Sequence, residues 1–392
     1  MWRILLMVSL LCWSADGQDV KCRNDKDEPV DWYIIYKAPG LQEINTEGLE
    51  YIYIDPAGKK TSKDHNKHID DPKGVLANTL KPIFKLKTAL PKDFGFITYS
   101  DQPPPDEKGV TPSVGSTFGH SKGVVMMDKT TGDKTGVWLS HSVPKFPFKR
   151  DQNFWPPSGA KNAQTFICVT FKYEEFKKIG QHLLNIRAFP FGSQIPAGFH
   201  PELIKAKDKE NPTGEKIQEL KSAGGTDFRS IAKEQYKGLN DRGDTLIDQN
   251  RFVGDLYLTI AEKYNTDVRV QTWGQQCYRE GSYCEQNKRQ VMNIKSVKAD
   301  LGNGEVEWEP CNDHSKWCVG KDNNNNLICI ADVNRAVTQY ERPGGALCFI
   351  HKEASELFKG LIGGTKNCPS LTGSKRRRLS SNPGSACVDG SD

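Results

Sequence analysis

Two short elements of this chain carry the same three residues in the same order, His120-Ser121-Lys122 and His314-Ser315-Lys316. In an extended segment, residues i and i+2 project to one face, so each histidine and its lysine can aim at a common site. If the parts that carry them pack about a pseudo-twofold axis, two imidazoles and two ammonium groups converge in one cleft. That set suits phosphoryl transfer without a metal ion. The lysines neutralise phosphate oxygens as charge accumulates, the task Mg²⁺ performs elsewhere. One neutral histidine attacks phosphorus to give a phosphohistidine, while the other, protonated, donates to the leaving oxygen. A free imidazole titrates near ~6.5, so one neutral and one protonated ring coexist best at mildly acidic pH. A third His-x-Lys, His65-Asn66-Lys67, lies beside His68, Asp64, Asp70 and Asp71 and reads as surface loop rather than a metal site.

The elements that would position these groups are legible. Tyr33 to Tyr36, Leu49 to Ile54, Phe94 to Tyr99, Gly123 to Met127, Gly136 to Leu139 and Thr165 to Phe171 read as strands. So do Asp267 to Thr272, Val291 to Val297, Leu327 to Ile330 and Ala346 to Ile350. All are rich in β-branched and aromatic residues and end at Gly, Pro or Asp. Phe176, Ile179, Leu183 and Ile186 recur at helical spacing, as do Phe252, Leu256, Ile260 and Tyr264, and such stripes face a core. Strands alternating with helices predict an α/β protein. Asp101 to Ser116, with Pro103-Pro104-Pro105, and the polar stretch 192–226 read as loops, the second joining two halves.

Length and composition bound the rest. The 392 residues suffice for a large core in two or three domains. Arg3, the apolar run Ile4 to Trp13 and the small residues Ala15 and Gly17 read as a signal peptide over 1–17. No other run approaches the ~20 apolar residues of a membrane span. Of eleven cysteines, Cys12 departs with the leader, and an even number remains for disulfides in an exported chain. No C-x-x-C pair occurs, which disfavours structural zinc. The net charge of +5 permits a polyanion partner. No Asn-x-Ser/Thr sequon is present, so asparagine-linked glycan is not expected. The polar tail 369–392, with Lys375-Arg376-Arg377-Arg378, reads as disordered.

The flanks of the repeated element are more specific than the repeat. Val30-Asp31-Trp32-Tyr33-Ile34-Ile35-Tyr36-Lys37, Tyr99-Ser100-Asp101-Gln102-Pro103-Pro104 and Gly119-His120-Ser121-Lys122-Gly123-Val124 resemble the deoxyribonuclease II family. Trp138-Leu139-Ser140-His141-Ser142-Val143-Pro144 and Asp313-His314-Ser315-Lys316-Trp317-Cys318-Val319 do so as well. The likeness runs in order from about Cys22 to Cys368. It implies a phospholipase D-like fold in which two α/β halves, 18–191 and 227–368, share one active site across the connection 192–226. It also implies an acid endonuclease that uses no cofactor or divalent metal and leaves 3′-phosphate and 5′-hydroxyl ends. DNA would be held mainly through its phosphates, with little sequence preference.

Carried over residue by residue, the catalytic set is His120, Lys122, His314 and Lys316. The residues themselves do not tell the two histidines apart; analogy with the wider superfamily favours His120 as the attacking group and His314 as the acid. His141, inside a shared block, is read either as support for a catalytic ring or phosphate, or as a structural polar contact. The superfamily's Asp five residues after the lysine is replaced here by Met127 and Lys321, so Asp128 and Asp322 stay outside the set. Matching cysteine positions imply bridges Cys22–Cys168, Cys284–Cys368 and Cys329–Cys348, and leave Cys277, Cys311, Cys318 and Cys387 unassigned. The family is typically lysosomal and usually glycosylated; without a sequon, this chain is expected in the secretory pathway and either reaches lysosomes by another route or is secreted. Two other readings stand beside this one: a phospholipid head-group hydrolase that keeps the chemistry, and a secreted DNA-binding or toxin-like protein that keeps the fold and drops catalysis.

Overall fold

The β-branched and aromatic runs pair into two large sheets. The computed structural model describes residues 20–84, 92–129, 132–236, 249–276 and 278–368. The expected leader at 1–17, Cys12, Cys277, Cys387 and the tail 369–392 lie outside the described residues. The first sheet comprises β1 (Trp32–Lys37), β2 (Tyr51–Asp55), β3 (Gly58–Thr61), β4 (Phe94–Ser100), β5 (Lys122–Asp128), β6 (Thr135–His141), β7 (Gln164–Lys172) and β8 (Pro190–Gln194). Its order is β8-β4-β5-β6-β7-β1-β2-β3, antiparallel throughout.

The second sheet holds β9 (Ile217–Lys221), β10 (Asp227–Ala232), β11 (Val268–Gln271), β12 (Val291–Asp300), β13 (Glu305–Trp308), β14 (Trp317–Gly320), β15 (Leu327–Ala331), β16 (Gly345–Ile350) and β17 (Ile362–Thr365). Its order is β9-β10-β16-β15-β14-β11-β12-β13, with β17 also on β12. Only the β11–β12 pair is parallel. One succession recurs: β1-β7-β6-β5-β4 in the first sheet and β10-β16-β15-β14-β11 in the second. The two His-Ser-Lys elements enter the corresponding strands β5 and β14.

Among the described residues, the helices of seven residues or more that pack on the sheets are α1 (Val75–Phe84), α2 (Phe176–Asn185), α3 (Pro201–Lys207), α4 (Leu256–Lys263) and α5 (Lys352–Gly360). The largest core cluster lies between the sheets and joins Trp32, Ile34 and Tyr36 to Phe228, Trp317, Ile328 and Phe349, with Ile179 of α2 and Phe358 of α5. Full burial of each such side chain is worth roughly 1.5–3 kcal/mol. Two further clusters back the outer faces, one with Leu76 and Leu80 of α1 and one with Leu256 and Ile260 of α4. Disulfides join Cys22 to Cys168, Cys284 to Cys368 and Cys329 to Cys348, the pairs named above. Cys311 and Cys318 are free thiols, the latter buried.

Three local expectations need correction. The stretch 192–226 is not plain connection: it holds the end of β8, then α3 and β9. β8 also spans position 191, the expected end of the first half, and extends the first sheet beside β4. These elements read as polar because several of their side chains face solvent. The stripe from Phe252 to Tyr264 is interrupted, because the Asp255 side chain accepts from the amides of Tyr257 and Leu258 and starts α4 only at Leu256. His65 does not sit on a surface loop. It is buried at the end of a short helix, Ser62–His65, where its Nδ1 lies 2.8 Å from the Tyr51 hydroxyl and its Nε2 lies 3.3 Å from Asp25.

Candidate active site

His120 and Lys122 stand where the chain enters β5, and His314 and Lys316 where it enters β14. All four line one cleft of about 360 Å³ with Asp101, Gln102, Ser142, Trp273, Asn334 and Arg342. Corresponding strands of the two sheets contribute to it. Asp101 follows β4 and Trp273 follows β11; Ser142 follows β6 and Asn334 follows β15. Each sheet therefore offers the same set of strand ends to the cleft.

Each histidine is fastened by the opposite part of the chain. The His120 amide donates to the Pro343 carbonyl at 3.3 Å, and its Nδ1 lies 2.6 Å from the Asp332 carbonyl oxygen. The His314 amide donates to the Ala163 carbonyl at 2.9 Å. The His314 ring lies against Trp273, with centroids 4.6 Å apart. Beneath His314, buried Asp313 accepts from the Ser315 amide and from Trp308 Nε1, each at 2.9 Å, and from the Tyr36 hydroxyl of β1. The second motif is thus a turn clamped by its own aspartate. In the first motif Gly119 holds the corresponding position, and the buried Ser121 hydroxyl has no hydrogen-bond partner.

Charge is concentrated. Lys122 Nζ lies 2.6 Å from Asp101 Oδ1, and Arg342 donates to Asp101 Oδ2 at 3.2 Å. Lys316 Nζ donates to the His314 carbonyl at 2.6 Å. Burial first, then Lys122, holds the His120 imidazole well below its ordinary value, with Asp101 opposing. A carbonyl oxygen can only accept, so the neutral His120 ring carries its proton on Nδ1 and keeps a lone pair on Nε2. Burial and then Lys122 push the Lys316 ammonium down to about 7. Burial pushes the Asp332 carboxyl up to about 7. Although burial opposes it, Lys122, His120 and Arg342 hold Asp101 well below the usual carboxylate range.

His141 does not line the cleft. Its buried ring packs edge-on against Phe146, centroids 4.9 Å apart, and burial followed by Lys122 holds its imidazole well below the ordinary value. Asp322 is exposed and Asp128 is buried at the end of β5. The carboxylate beside the motif histidine and lysine is instead Asp101, which sits inside the quoted Tyr99-to-Pro104 block. Trp273, Asn334, Arg342 and the Asp332 carbonyl carried no signal of spacing or repetition.

Gly123 has a steric role. It pairs with Tyr99 across β4–β5, and a Cβ there would collide with the Tyr99 hydroxyl and lie 2.7 Å from the Leu139 carbonyl oxygen. That hydroxyl accepts from Trp138 Nε1 at 3.0 Å and so has little room to move. Gly123→Ala should cost about 1–3 kcal/mol of stability in urea denaturation, with a loss of activity from the displaced Lys122. A variant as stable as the parent would show that this contact is slack.

The family model for deoxyribonuclease II matches residues 21–368. The chain is 30% identical over 355 residues to deoxyribonuclease-2-beta of Homo sapiens, covering 88% of this chain and 90% of that one. It is 32% identical over 361 residues to deoxyribonuclease-2-beta of Mus musculus, covering 87% and 92%. It is also 29% identical over 364 residues to Plancitoxin-1 of Acanthaster planci, covering 90% and 93%.

Proposed function

The chain belongs to the deoxyribonuclease II family and is a nuclease of that type, and we propose that it is an acid endonuclease hydrolysing DNA without a divalent metal. The observation that carries this reading is the meeting of both His-Ser-Lys pairs in one cleft. We read the two parts of the chain as phospholipase D-like halves around that shared site, which the recurring strand order supports.

In the proposed sequence, His120 Nε2 attacks phosphorus and the P–O5′ bond breaks. His314 donates its proton to the departing 5′-oxygen, leaving a phosphohistidine on the 3′ side. Water then attacks that phosphorus, neutral His314 takes the water's proton, and the N–P bond breaks. The products end in 3′-phosphate and 5′-hydroxyl. Lys122 and Lys316 offset charge on the phosphoryl oxygens, and Arg342 adds a third cation. The assignment of His120 rests on its tautomer, held by the Asp332 carbonyl much as a triad's third member holds its imidazole. His141 is given a structural role: it supports the end of β6 beside Ser142.

The pH dependence follows from Lys316. Its ammonium is required for phosphate binding and is present only below about 7. Plasmid cleavage should therefore be maximal on the acid side, with kcat/KM falling as pH rises through about 7, and EDTA should leave it unchanged. Activity confined to neutral pH, or restored only by added metal, would overturn the proposal. So would hydrolysis of phosphatidylcholine in place of DNA. We place the protein in the secretory pathway, in lysosomes or outside the cell, since the three disulfides among the described residues suit an oxidising compartment. No described helix is long and apolar enough to cross a membrane.

A further inference from the structure

Asp101 faces the groups that a phosphate would be expected to face. Its side chain is only 5% exposed, at the end of β4. Oδ1 takes Lys122 at 2.6 Å, while Oδ2 takes Arg342 at 3.2 Å and lies 3.9 Å from His120 Nε2. A carboxylate presents two oxygens to these cations much as a phosphodiester would present its two non-bridging oxygens. Arg342 reaches across from the loop before β16, donates also to the Phe118 carbonyl at 3.1 Å, and has a buried Nε without a partner. It therefore keeps a donor in reserve.

We propose that Asp101 is a built-in anion that engages Lys122 and Arg342 within the cleft and yields them to the phosphate of bound DNA. This rests on the reading of the cleft as a phosphodiester site. Two consequences follow. Without an internal counter-charge, Lys122, Lys316 and Arg342 would repel one another in a buried space. With it, every bound phosphate, product included, meets a neighbouring negative charge, so ground-state affinity is held down. The 3′-phosphate end of the product gains a second negative charge as the pH rises toward about 6, and as it does so it is repelled more than the diester and released faster. Asp101 is thus a positioning residue for the cations and a determinant of product release, with no proton or electron to move.

The test measures binding of inorganic phosphate at about pH 5 by calorimetry, with kcat and KM on DNA, for the parent, Asp101→Asn and Arg342→Gln. Asp101→Asn should bind phosphate about 10-fold more tightly or better, with KM and kcat both lowered as products linger. Arg342→Gln should bind phosphate more weakly. Phosphate affinity unchanged or weakened in folded Asp101→Asn would overturn the proposal. Should that variant fail to fold, unchanged affinity in Arg342→Gln would do the same. A parent protein that neither binds phosphate nor cleaves DNA would instead overturn the phosphodiester reading on which the proposal stands.

Discussion

Replacing His120 by alanine should reduce plasmid cleavage at pH 5 in EDTA by roughly 10⁴-fold or more, because no phosphohistidine can form without the Nε2 lone pair. Replacing His314 by alanine should cost roughly 10²- to 10⁴-fold, the usual contribution of a general acid. The two losses have different causes, and a second substrate separates them. In a phosphodiester whose leaving group is p-nitrophenolate, the departing oxygen needs no proton. On it, His314→Ala should recover most of the first chemical step, while His120→Ala should stay inactive. Each histidine is held in place by backbone from the other part of the chain. Full activity of either variant on plasmid DNA would remove the mechanism. Recovery of His120→Ala rather than His314→Ala would reverse the roles.

The second large effect is on stability. Arg335 directly follows the cleft residue Asn334, and its guanidinium is fully buried against fully buried Asp255, with Nε to Oδ2 at 2.9 Å. Arg335 also donates to the Gly281 carbonyl at 2.7 Å and to Asn293 Oδ1 at 2.9 Å. Asp255 caps α4 and accepts from the Tyr340 hydroxyl at 3.1 Å. The network ties the loop bearing Asn334 to α4 and β12. Replacing Arg335 by leucine strands a carboxylate in a dry interior and should cost about 3–5 kcal/mol in chemical denaturation. Replacing both Arg335 and Asp255 with apolar residues should cost less than the two single losses combined, because no unpaired charge remains. A single-variant loss below about 1 kcal/mol would show that water reaches the pair.

How far the sequence could be read depended on whether a feature repeats locally. The ten predicted strand runs all appear, because β-branched and aromatic residues at short range favour a pleated, half-buried surface. The stripe Phe176, Ile179, Leu183 and Ile186 is buried as a helical face should be. By contrast α1 was not anticipated: Pro82 lies inside it, Lys81 precedes that proline, and the helix is secured by packing on the first sheet. For the complementary reason, His65 departs from the surface loop that its local sequence predicts. Nothing near it in sequence announces that Tyr51 and Asp25 will enclose it.

The sequence alone determined the chemical inventory, namely two histidines and two lysines in identical triplets, each at the mouth of a strand, in a chain with paired cysteines. Only the tertiary structure decided that these triplets open into one cleft, that Asp101 and Arg342 join them, and that His120 keeps its Nε2 lone pair. Side-chain type and spacing are written locally. Coulomb interactions and desolvation depend instead on distances between segments far apart in the chain, and those distances exist only after the two sheets have closed on a common core.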